Sequence, residues 1–239
     1  YTESIDFSDK EVVLESMTFE LNDSNVVLET YFVPGGMGGA CLTLNGSSND
    51  HGTIRGISFR GGSSQNGGGI LIVDCSPVLS DLVVEDNSAD NGGGIFLSGS
   101  DATLKNIIIR NNGANLGGGV YVDQGSPSFE NVTFQENIAY RGGASYFENA
   151  TPSMFYCMIS QNEAFIEGGG IYQNGGQSTI EWTSFERNNG YDYGGSVVSY
   201  QASMNFDQIT FSDNTSGFGS MIALYSSAII IKNSILWGN

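Results

Sequence analysis

Two carboxylates and a line of aromatic side chains are the residues of this sequence best suited to chemistry. Asp123 and Glu148 lie 25 residues apart, and each follows a tyrosine, Tyr121 or Tyr146, by two positions. Two carboxylates about 5 Å apart are the arrangement of a retaining glycosidase. The same pair could share a Ca²⁺ ion with other oxygen ligands, such as the Asn174 side chain or a backbone carbonyl. Both kinds of chemistry need a fold that brings positions 25 residues apart side by side.

The aromatic line recurs at the same interval. One position holds, in order, Leu71, Phe96, Tyr121, Tyr146, Tyr172, Val198 and Ile222. The residues on both sides of it, such as Val120 and Val122, are apolar and face inward, so strand alternation points the line itself outward. Four consecutive repeats then present an aromatic ring on one outer face, about 4.8 Å apart. Such rings can support one another, or they can stack on sugar faces or on an aromatic partner surface.

The elements that position these residues follow from a repeat of about 25 residues. A Gly-Gly-small tripeptide begins at Gly38, Gly67, Gly92, Gly117, Gly142, Gly168 and Gly194, with a worn copy at Phe218-Gly219-Ser220-Met221. A second column runs in phase with it, at Asn87, Asn112, Asn137, Asn162, Asn188, Asn214 and Asn239. Self-similarity at a fixed period predicts a solenoid, in which each unit buries its apolar side only by stacking on its neighbours.

Each unit has the pattern of a coil of short strands. Before Asn112, for example, the apolar residues Leu104, Ile107 and Ile109 occupy columns that are largely apolar in every repeat. The last two columns lie two residues apart, which is the period of a strand with one buried face. Two or three strands per coil fit an all-β, right-handed parallel β-helix, with the handedness expected from β-crossovers. We expect one continuous domain over residues 38–239, preceded by an irregular capping coil over residues 1–37.

The repeated asparagines have a structural explanation. Asparagines stacked at strand spacing can hydrogen-bond along the axis and can also satisfy turn backbone groups. We therefore expect a structural ladder of Asn87, Asn112, Asn137, Asn162, Asn188 and Asn214. The glycines mark tight turns or a close approach of neighbouring coils, where a Cβ does not fit.

Composition limits the partners of the chain. Its formal net charge is −18, from 26 acidic residues against 8 Lys and Arg. Such a field repels nucleic acids and anionic membranes and attracts cations, including Ca²⁺. No stretch approaches the roughly 20 apolar residues of a membrane span. We expect neither nucleic-acid binding nor membrane insertion.

The cysteines and the single histidine suggest no further site. Cys41, Cys75 and Cys157 are an odd set without metal-site spacing, so they form neither a disulfide framework nor a zinc site. Cys157 occupies an inward column, and one pair between the other two stays open. His51 has no nucleophile at a motif spacing, and we expect it to be a loop residue.

The columns resemble the repeats of chlamydial polymorphic outer-membrane proteins, defined by G-G-A-[ILV] and F-x-x-N. The second motif is intact at residues 134–137, 185–188 and 211–214. The pattern is also similar to the pectin-lyase-like β-helix repeats of large secreted bacterial proteins, over nearly all of residues 38–239. The resemblance implies secretion or display at the cell surface. It leaves function open, because that superfamily contains lyases, hydrolases, esterases, adhesins and stalks. Its lyases place an Arg or Lys base beside Ca²⁺-binding acids, and no such cluster is evident in this sequence.

We predict a secreted or surface-displayed structural or adhesive module that binds a polysaccharide or a protein. The binding residues are predicted to be Phe96, Tyr121, Tyr146, Tyr172, Asp123 and Glu148. No catalytic residue is assigned, and Ca²⁺ is the one cofactor considered. The alternative is a polysaccharide lyase or glycoside hydrolase with Asp123 and Glu148 as its acids, but the near-constant period leaves few insertions to wall a groove. The chain stops at Asn239 in mid-coil, so we expect either more protein beyond it or self-association at that open coil.

Overall fold

Alternating inward and outward side chains build short strands, and four strands complete each coil. The computed structural model describes residues 13–15, 31–34, 38–46, 52–218 and 221–239. Every regular element in these ranges is a β-strand, and the strands pair in parallel with their counterparts one coil away. The predicted all-β parallel solenoid of about 25 residues per coil is confirmed. The predicted two or three strands per coil are wrong, because the chain between the marker asparagine and the glycine triplet forms a fourth.

Within the described ranges the strands form four sheets, here named A to D. Sheet A contains Leu42–Asn45, Ile70–Val73, Ile95–Ser98, Val120–Asp123, Ser145–Glu148, Ile171–Asn174, Val197–Tyr200 and Ile222–Tyr225. Sheet B contains Val13–Glu15, Thr53–Arg55, Val78–Ser80, Thr103–Lys105, Ser128–Glu130, Ser153–Phe155, Gln177–Glu181, Ser203–Asp207 and Ala228–Lys232. Sheet C contains Tyr31–Phe32, Ser58–Arg60, Val83–Glu85, Ile108–Arg110, Thr133–Gln135, Met158–Ser160, Ser184–Glu186, Thr210–Ser212 and Ile235–Trp237. Sheet D contains Ser63–Asn66, Ser88–Asn91, Gly113–Leu116, Ile138–Arg141, Glu163–Glu167, Asn189–Gly190 and Thr215–Ser216.

The corners from sheet B to C and from sheet C to D each turn on one residue with a left-handed backbone. In one coil these residues are Asp81 and Asp86, both with φ of 55°. Each is followed by a buried residue, Leu82 at the first corner and Asn87 at the second. The corners thereby place one apolar column and the asparagine column inside the coil.

The core runs along the axis because the inward columns of successive coils stack. Leu104, Ile107 and Ile109 are each at most 1% exposed, and they belong to one continuous cluster. The glycine triplets let neighbouring coils approach closely. Gly92 has a φ of 63°, and a Cβ on Gly93 would lie 2.5 Å from the carbonyl oxygen of Gly113 in the next coil. A larger residue at Gly93 would therefore force the coils apart.

A buried ladder of asparagines lies at the corner between sheets C and D. Asn112 Nδ2 donates to Asn137 Oδ1 at 3.0 Å and to the Val84 carbonyl at 2.9 Å, and the Asn112 backbone N–H donates to Asn137 Oδ1 at 3.1 Å. The same side-chain bond joins Asn87 to Asn112, Asn137 to Asn162, Asn162 to Asn188, Asn188 to Asn214, and Asn214 to Asn239. Each asparagine from Asn87 to Asn214 in this ladder is at most 2% exposed. The ladder therefore satisfies buried corner backbone groups while it joins one coil to the next.

The described parts of residues 1–37 extend two sheets. Val13–Glu15 pairs with Thr53–Arg55 in sheet B, and Tyr31–Phe32 pairs with Ser58–Arg60 in sheet C. Most of the rest of the expected capping coil, and His51 with it, lie outside the described residues.

The three cysteines are buried, and none of them forms a disulfide. Cys157 lies in its expected inward column at 3% exposure. Cys41 and Cys75 do not form the disulfide that the sequence left open. Burial raises the pKa of the Cys41 thiol to about 11 and that of Cys157 to about 12, against hydrogen bonds to backbone groups that lower it. The described part of the chain contains no helix able to cross a bilayer.

Candidate functional site

The aromatic line of sheet A forms a stack along the axis. Phe96, Tyr121, Tyr146 and Tyr172 are direct neighbours in the strand register. The centroids of successive rings lie 5.3, 5.1 and 4.9 Å apart, with adjacent rings within 9° of parallel. The stack lies outside the main core, on the other face of the sheet. Each ring pair is worth about 0.5–1.5 kcal/mol beyond its burial, so the stack stabilises the coils.

The stack is covered by neighbouring side chains. Phe96, Tyr146 and Tyr172 are 8%, 7% and 8% exposed. Leu116, at the end of a sheet D strand, packs against the same cluster, and the Cζ atom of Arg141 lies 5.8 Å from the centroid of the Tyr172 ring. The rings thus point away from the main core, as alternation predicts, but their faces contact other rings. A sugar cannot insert between them without breaking the stack.

The line ends differently from what the sequence suggests. Ile222 was expected to continue it, but Ile222 pairs with the inward-facing Val197, and Ala223 is the neighbour of Val198. Beyond Tyr172 the line therefore holds Val198 and then Ala223. The change from a ring to smaller side chains marks one end of the stack.

Asp123 and Glu148 occupy the same strand position on adjacent coils and pair directly in the register of sheet A. Glu148 accepts a hydrogen bond from the Tyr146 hydroxyl at 3.1 Å, and Asn174 Nδ2 lies 3.0 Å from each Glu148 carboxylate oxygen. Asp123 accepts a hydrogen bond from the Ser98 hydroxyl at 3.4 Å. Glu148 therefore acts as an acceptor for the stack and for the next coil.

This arrangement does not favour Ca²⁺ at the carboxylate pair. Ca²⁺ takes six to eight oxygen ligands, whereas Asn174 turns its amide nitrogen toward Glu148. No cluster of three or more His, Cys, Asp or Glu side chains suited to a metal occurs among the residues that the structure describes.

Burial, followed by the charges of Glu148 and Asp123, raises the pKa of Tyr121 to about 12, so its hydroxyl stays protonated at neutral pH.

A shallow cavity of about 230 Å³ lies where the stack ends, and we call it the tyrosine pocket. It is lined by Arg141, Glu167, Tyr172, Tyr200 and Tyr225. Arg141 and Glu167 come from neighbouring sheet D strands, and the three tyrosines come from neighbouring sheet A strands. Of these residues, only Tyr172 is among the binding residues predicted from the sequence.

A second set of aromatic side chains is open to solvent on the outer side of sheet D, and we call it the outer aromatic face. Tyr140, Phe165 and Tyr191 are 51%, 49% and 52% exposed. The Tyr140 and Phe165 ring centroids lie 5.8 Å apart, and those of Phe165 and Tyr191 lie 6.0 Å apart. Interplanar angles of 57° and 33° tilt the rings, so their faces are not closed by parallel stacking. Ile138, at 41% exposure, extends the apolar area.

The surroundings of the outer aromatic face are polar or acidic. Along the same column toward the N-terminus, Asn115 Nδ2 donates to Asp90 Oδ1 at 3.1 Å. The pKa of Tyr191 is raised, first by its hydrogen bond to Glu163 and then by the charge of that carboxylate. The outward positions of sheet D and Tyr191 beside it are Ser63, Gln65, Ser88, Asp90, Gly113, Asn115, Ile138, Tyr140, Glu163, Phe165, Asn189, Tyr191 and Thr215. None of these positions carries a basic residue.

The outer aromatic face is absent from the sequence-based predictions, although the sequence contains a signal for it. Asp90, Asn115, Tyr140, Phe165 and Tyr191 each lie three residues after a marker asparagine. The two or three strands predicted for each coil left this stretch without a strand. Once sheet D is recognised as a strand region, the same alternation identifies these side chains as outward.

Comparison with known proteins identifies the repeat architecture. A family model described as a right handed beta helix region matches residues 18–176 and 93–239. Neither a curated protein nor a solved structure matches the chain. The match spans most of the sequence and agrees with the parallel coils described above. The chain belongs to the right-handed beta helix family.

Proposed function

We propose that this β-helix is a structural or adhesive module that binds a polysaccharide or a protein through its outer aromatic face. The exposed line of Tyr140, Phe165 and Tyr191 is the observation that carries the proposal. Exposed aromatic rings gathered in one patch are typical of interaction surfaces, and their faces can stack on the apolar faces of sugars. Parallel strands hold the rings at a fixed spacing, so the binding surface is formed before the partner arrives.

The acidic character of the surface limits the chemical classes of partner that it can bind. The formal net charge is −18, and Arg141, the one basic residue on the described strands of sheet D, is paired with Glu167, so the face repels anionic partners. An uncharged polysaccharide or a neutral to basic protein surface fits these conditions. Ca²⁺ has no role in this proposal, and binding should persist in EDTA.

The alternative function is a carbohydrate-active enzyme with Asp123 and Glu148 as its acids. The contacts of Glu148 with Tyr146 and Asn174 support a structural role for that carboxylate instead. The stack beside it is closed by its own rings. Binding is therefore the better-supported proposal, and a turnover assay on any bound polysaccharide separates the two.

Location and finer family membership are part of the proposal. The F-x-x-N motifs and the coil length support a place among the pectin-lyase-like repeats of secreted bacterial proteins and the chlamydial outer-membrane type. That placement would put the module outside the cell or on its surface.

The last described coil offers a second contact surface, because Ile235, Leu236 and Trp237 are 62%, 52% and 77% exposed at the edge of sheet C. A second copy could pair with this edge, and light scattering over a concentration series would detect that association.

A glycan array and a parallel protein-binding screen test the main proposal. The wild type should bind a ligand in EDTA, and Tyr140→Ser with Phe165→Ser should weaken that binding about tenfold or more. Tyr156→Ser is the matched control, because Tyr156 is 60% exposed but lies at the corner between sheets B and C. Binding that survives the double substitution, or conversion of the ligand by an enzyme activity, would overturn the proposal.

A further inference from the structure

We propose that the tyrosine pocket is a second binding site, which takes a single uncharged sugar ring. The site is separate from the outer aromatic face, and its role does not depend on the function proposed for that face. Its ligand is defined by chemistry as a neutral ring that carries several hydroxyl groups.

The pocket lies at the end of the aromatic stack. Tyr172 is the last ring of the stack, and the next two positions hold Val198 and Ala223. These smaller side chains do not continue the stack, and the pocket lies beside its last ring, Tyr172. Tyr225 packs over the same cluster, and its ring centroid lies 6.2 Å from that of Tyr200. The resulting cavity has three aromatic walls and a volume of about 230 Å³.

The charged groups of the pocket compensate one another. Arg141 Nε donates to Glu167 Oε2 at 3.2 Å, and the Tyr225 hydroxyl donates to Glu167 Oε1 at 3.1 Å. Both oxygens of Glu167 therefore have a donor, and the Arg141–Glu167 pair contributes no net charge. A ligand with a charge of either sign would have to compete with this pair.

Two hydroxyl groups remain available to a ligand. The hydroxyls of Tyr172 and Tyr200 have no hydrogen-bond partner among the described residues. The Tyr172 hydroxyl is not among the buried polar atoms that lack a partner, and the Tyr200 side chain is 40% exposed, so both groups are open to solvent. Burial and the charge of Glu167 raise the pKa of Tyr172, which keeps that hydroxyl protonated. Each phenol can donate one hydrogen bond and accept others, which matches the hydroxyl groups of a sugar.

Size and charge select among small ligands. The cavity is smaller than the roughly 300–1,000 Å³ typical of drug-sized ligands, so it suits one ring and not an extended chain. An aromatic box with a carboxylate could also hold a quaternary ammonium group. Here Arg141 already lies over the Tyr172 ring and would repel such a cation. An anionic sugar would face Glu167 and the strongly negative field of the chain.

Saturation-transfer NMR with five small probes tests the site. The probes are methyl glucoside, methyl galactoside, N-acetylglucosamine, glucuronate and choline. The wild type should bind at least one neutral sugar in preference to glucuronate and choline. Tyr172→Phe with Tyr200→Phe, which removes two hydroxyls and keeps both rings, should weaken that binding about tenfold. Tyr156→Phe, remote in the fold at the corner between sheets B and C, should leave it unchanged.

A second variant tests the charge argument without altering the shape of the pocket. Glu167→Gln leaves Arg141 uncompensated, so the preference should shift toward glucuronate. Because Tyr172 and Tyr200 lie outside the outer aromatic face, loss of sugar binding in their double phenylalanine variant separates this site from that face. Three results would each overturn the inference: no neutral sugar bound at tens of millimolar, equal binding by the double phenylalanine variant, or preferential binding of choline. Circular dichroism of each variant establishes that the comparison is made on folded protein.

Discussion

Replacing one asparagine of the buried ladder should destabilise the whole solenoid. Asn137 is fully buried, and its side chain takes part in four hydrogen bonds. Its Oδ1 accepts from the backbone N–H and from the Nδ2 group of Asn112, at 3.1 and 3.0 Å. Its Nδ2 donates to the Ile109 carbonyl at 2.9 Å and to Asn162 Oδ1 at 3.0 Å. Asn137→Ala removes all four bonds from a site that water does not reach.

The expected loss follows from the groups left without partners. Asn112 would lose the acceptor of its backbone N–H and of one Nδ2 hydrogen, whereas Asn162 Oδ1 would keep its bond from the Asn137 backbone N–H. A buried donor left unpaired costs about 1–3 kcal/mol. Two such donors predict a loss of about 2–6 kcal/mol in the free energy of unfolding. A cavity where the carboxamide stood would add to that loss.

Urea denaturation followed by circular dichroism measures this loss, with Asn115→Ala as the matched control. Asn115 also bonds to the coil before it, through Nδ2 to Asp90 Oδ1 at 3.1 Å, but it is exposed on sheet D. Water replaces that bond, so the control should change stability by only about 0.5 kcal/mol. If Asn137→Ala were no more destabilising than Asn115→Ala, the buried ladder bonds would not stabilise the fold as expected here.

Three further predictions concern the packing of coils and the buried titratable groups. Gly93→Ala should lower the free energy of unfolding by about 1–3 kcal/mol, because its Cβ would meet the Gly113 carbonyl. Gly113→Ala, whose new Cβ has no atom within 4 Å, should be neutral or slightly stabilising in thermal melts. Stability should fall as the pH rises from about 10 toward 12, because the unfolded chain ionises its tyrosines while Tyr121, with a pKa of about 12, keeps its proton in the fold. Tyr121→Phe should show a smaller fall in melting temperature over that pH range. An unchanged fall would contradict the raised pKa of Tyr121. Cys41 and Cys157, both buried with raised pKa values, should resist a thiol reagent at pH 8 until denaturant is added, and rapid labelling of the folded chain would show that these coils open readily.

The repeat allowed most of the fold to be predicted from the sequence. Identical positions recur every 25 or 26 residues, so strand alternation in one coil identifies inward columns in all of them. Sheet D was missed because its inward positions hold small residues such as Ala139 and Ala164, which give no large-apolar alternation. The left-handed corners at Tyr156 and Trp182 were missed because bulky residues rarely adopt φ of 55° and 52°.

The candidate site was harder to predict, since it depends on contacts between elements distant in sequence. Strand alternation predicts that Tyr146 and Tyr172 face away from the main core, as they do, but it does not predict that Arg141, at the end of a sheet D strand, lies over the Tyr172 ring. The error at Ile222 has a local cause. The worn copy beginning at Phe218 was aligned one residue early, and the strand register pairs Ile222 with Val197. A shift of one residue exchanges the two faces of a strand.

Equilibrium binding of the strongest array ligand is the most direct test of the proposed function. We would titrate that ligand into the wild type, into Tyr140→Ser/Phe165→Ser and into Tyr156→Ser, at two salt concentrations. We expect about tenfold weaker binding for the double variant, no change for the control, and, for an uncharged ligand, little dependence on salt. Equal affinity in all three proteins would contradict the claim that the outer aromatic face is the binding surface.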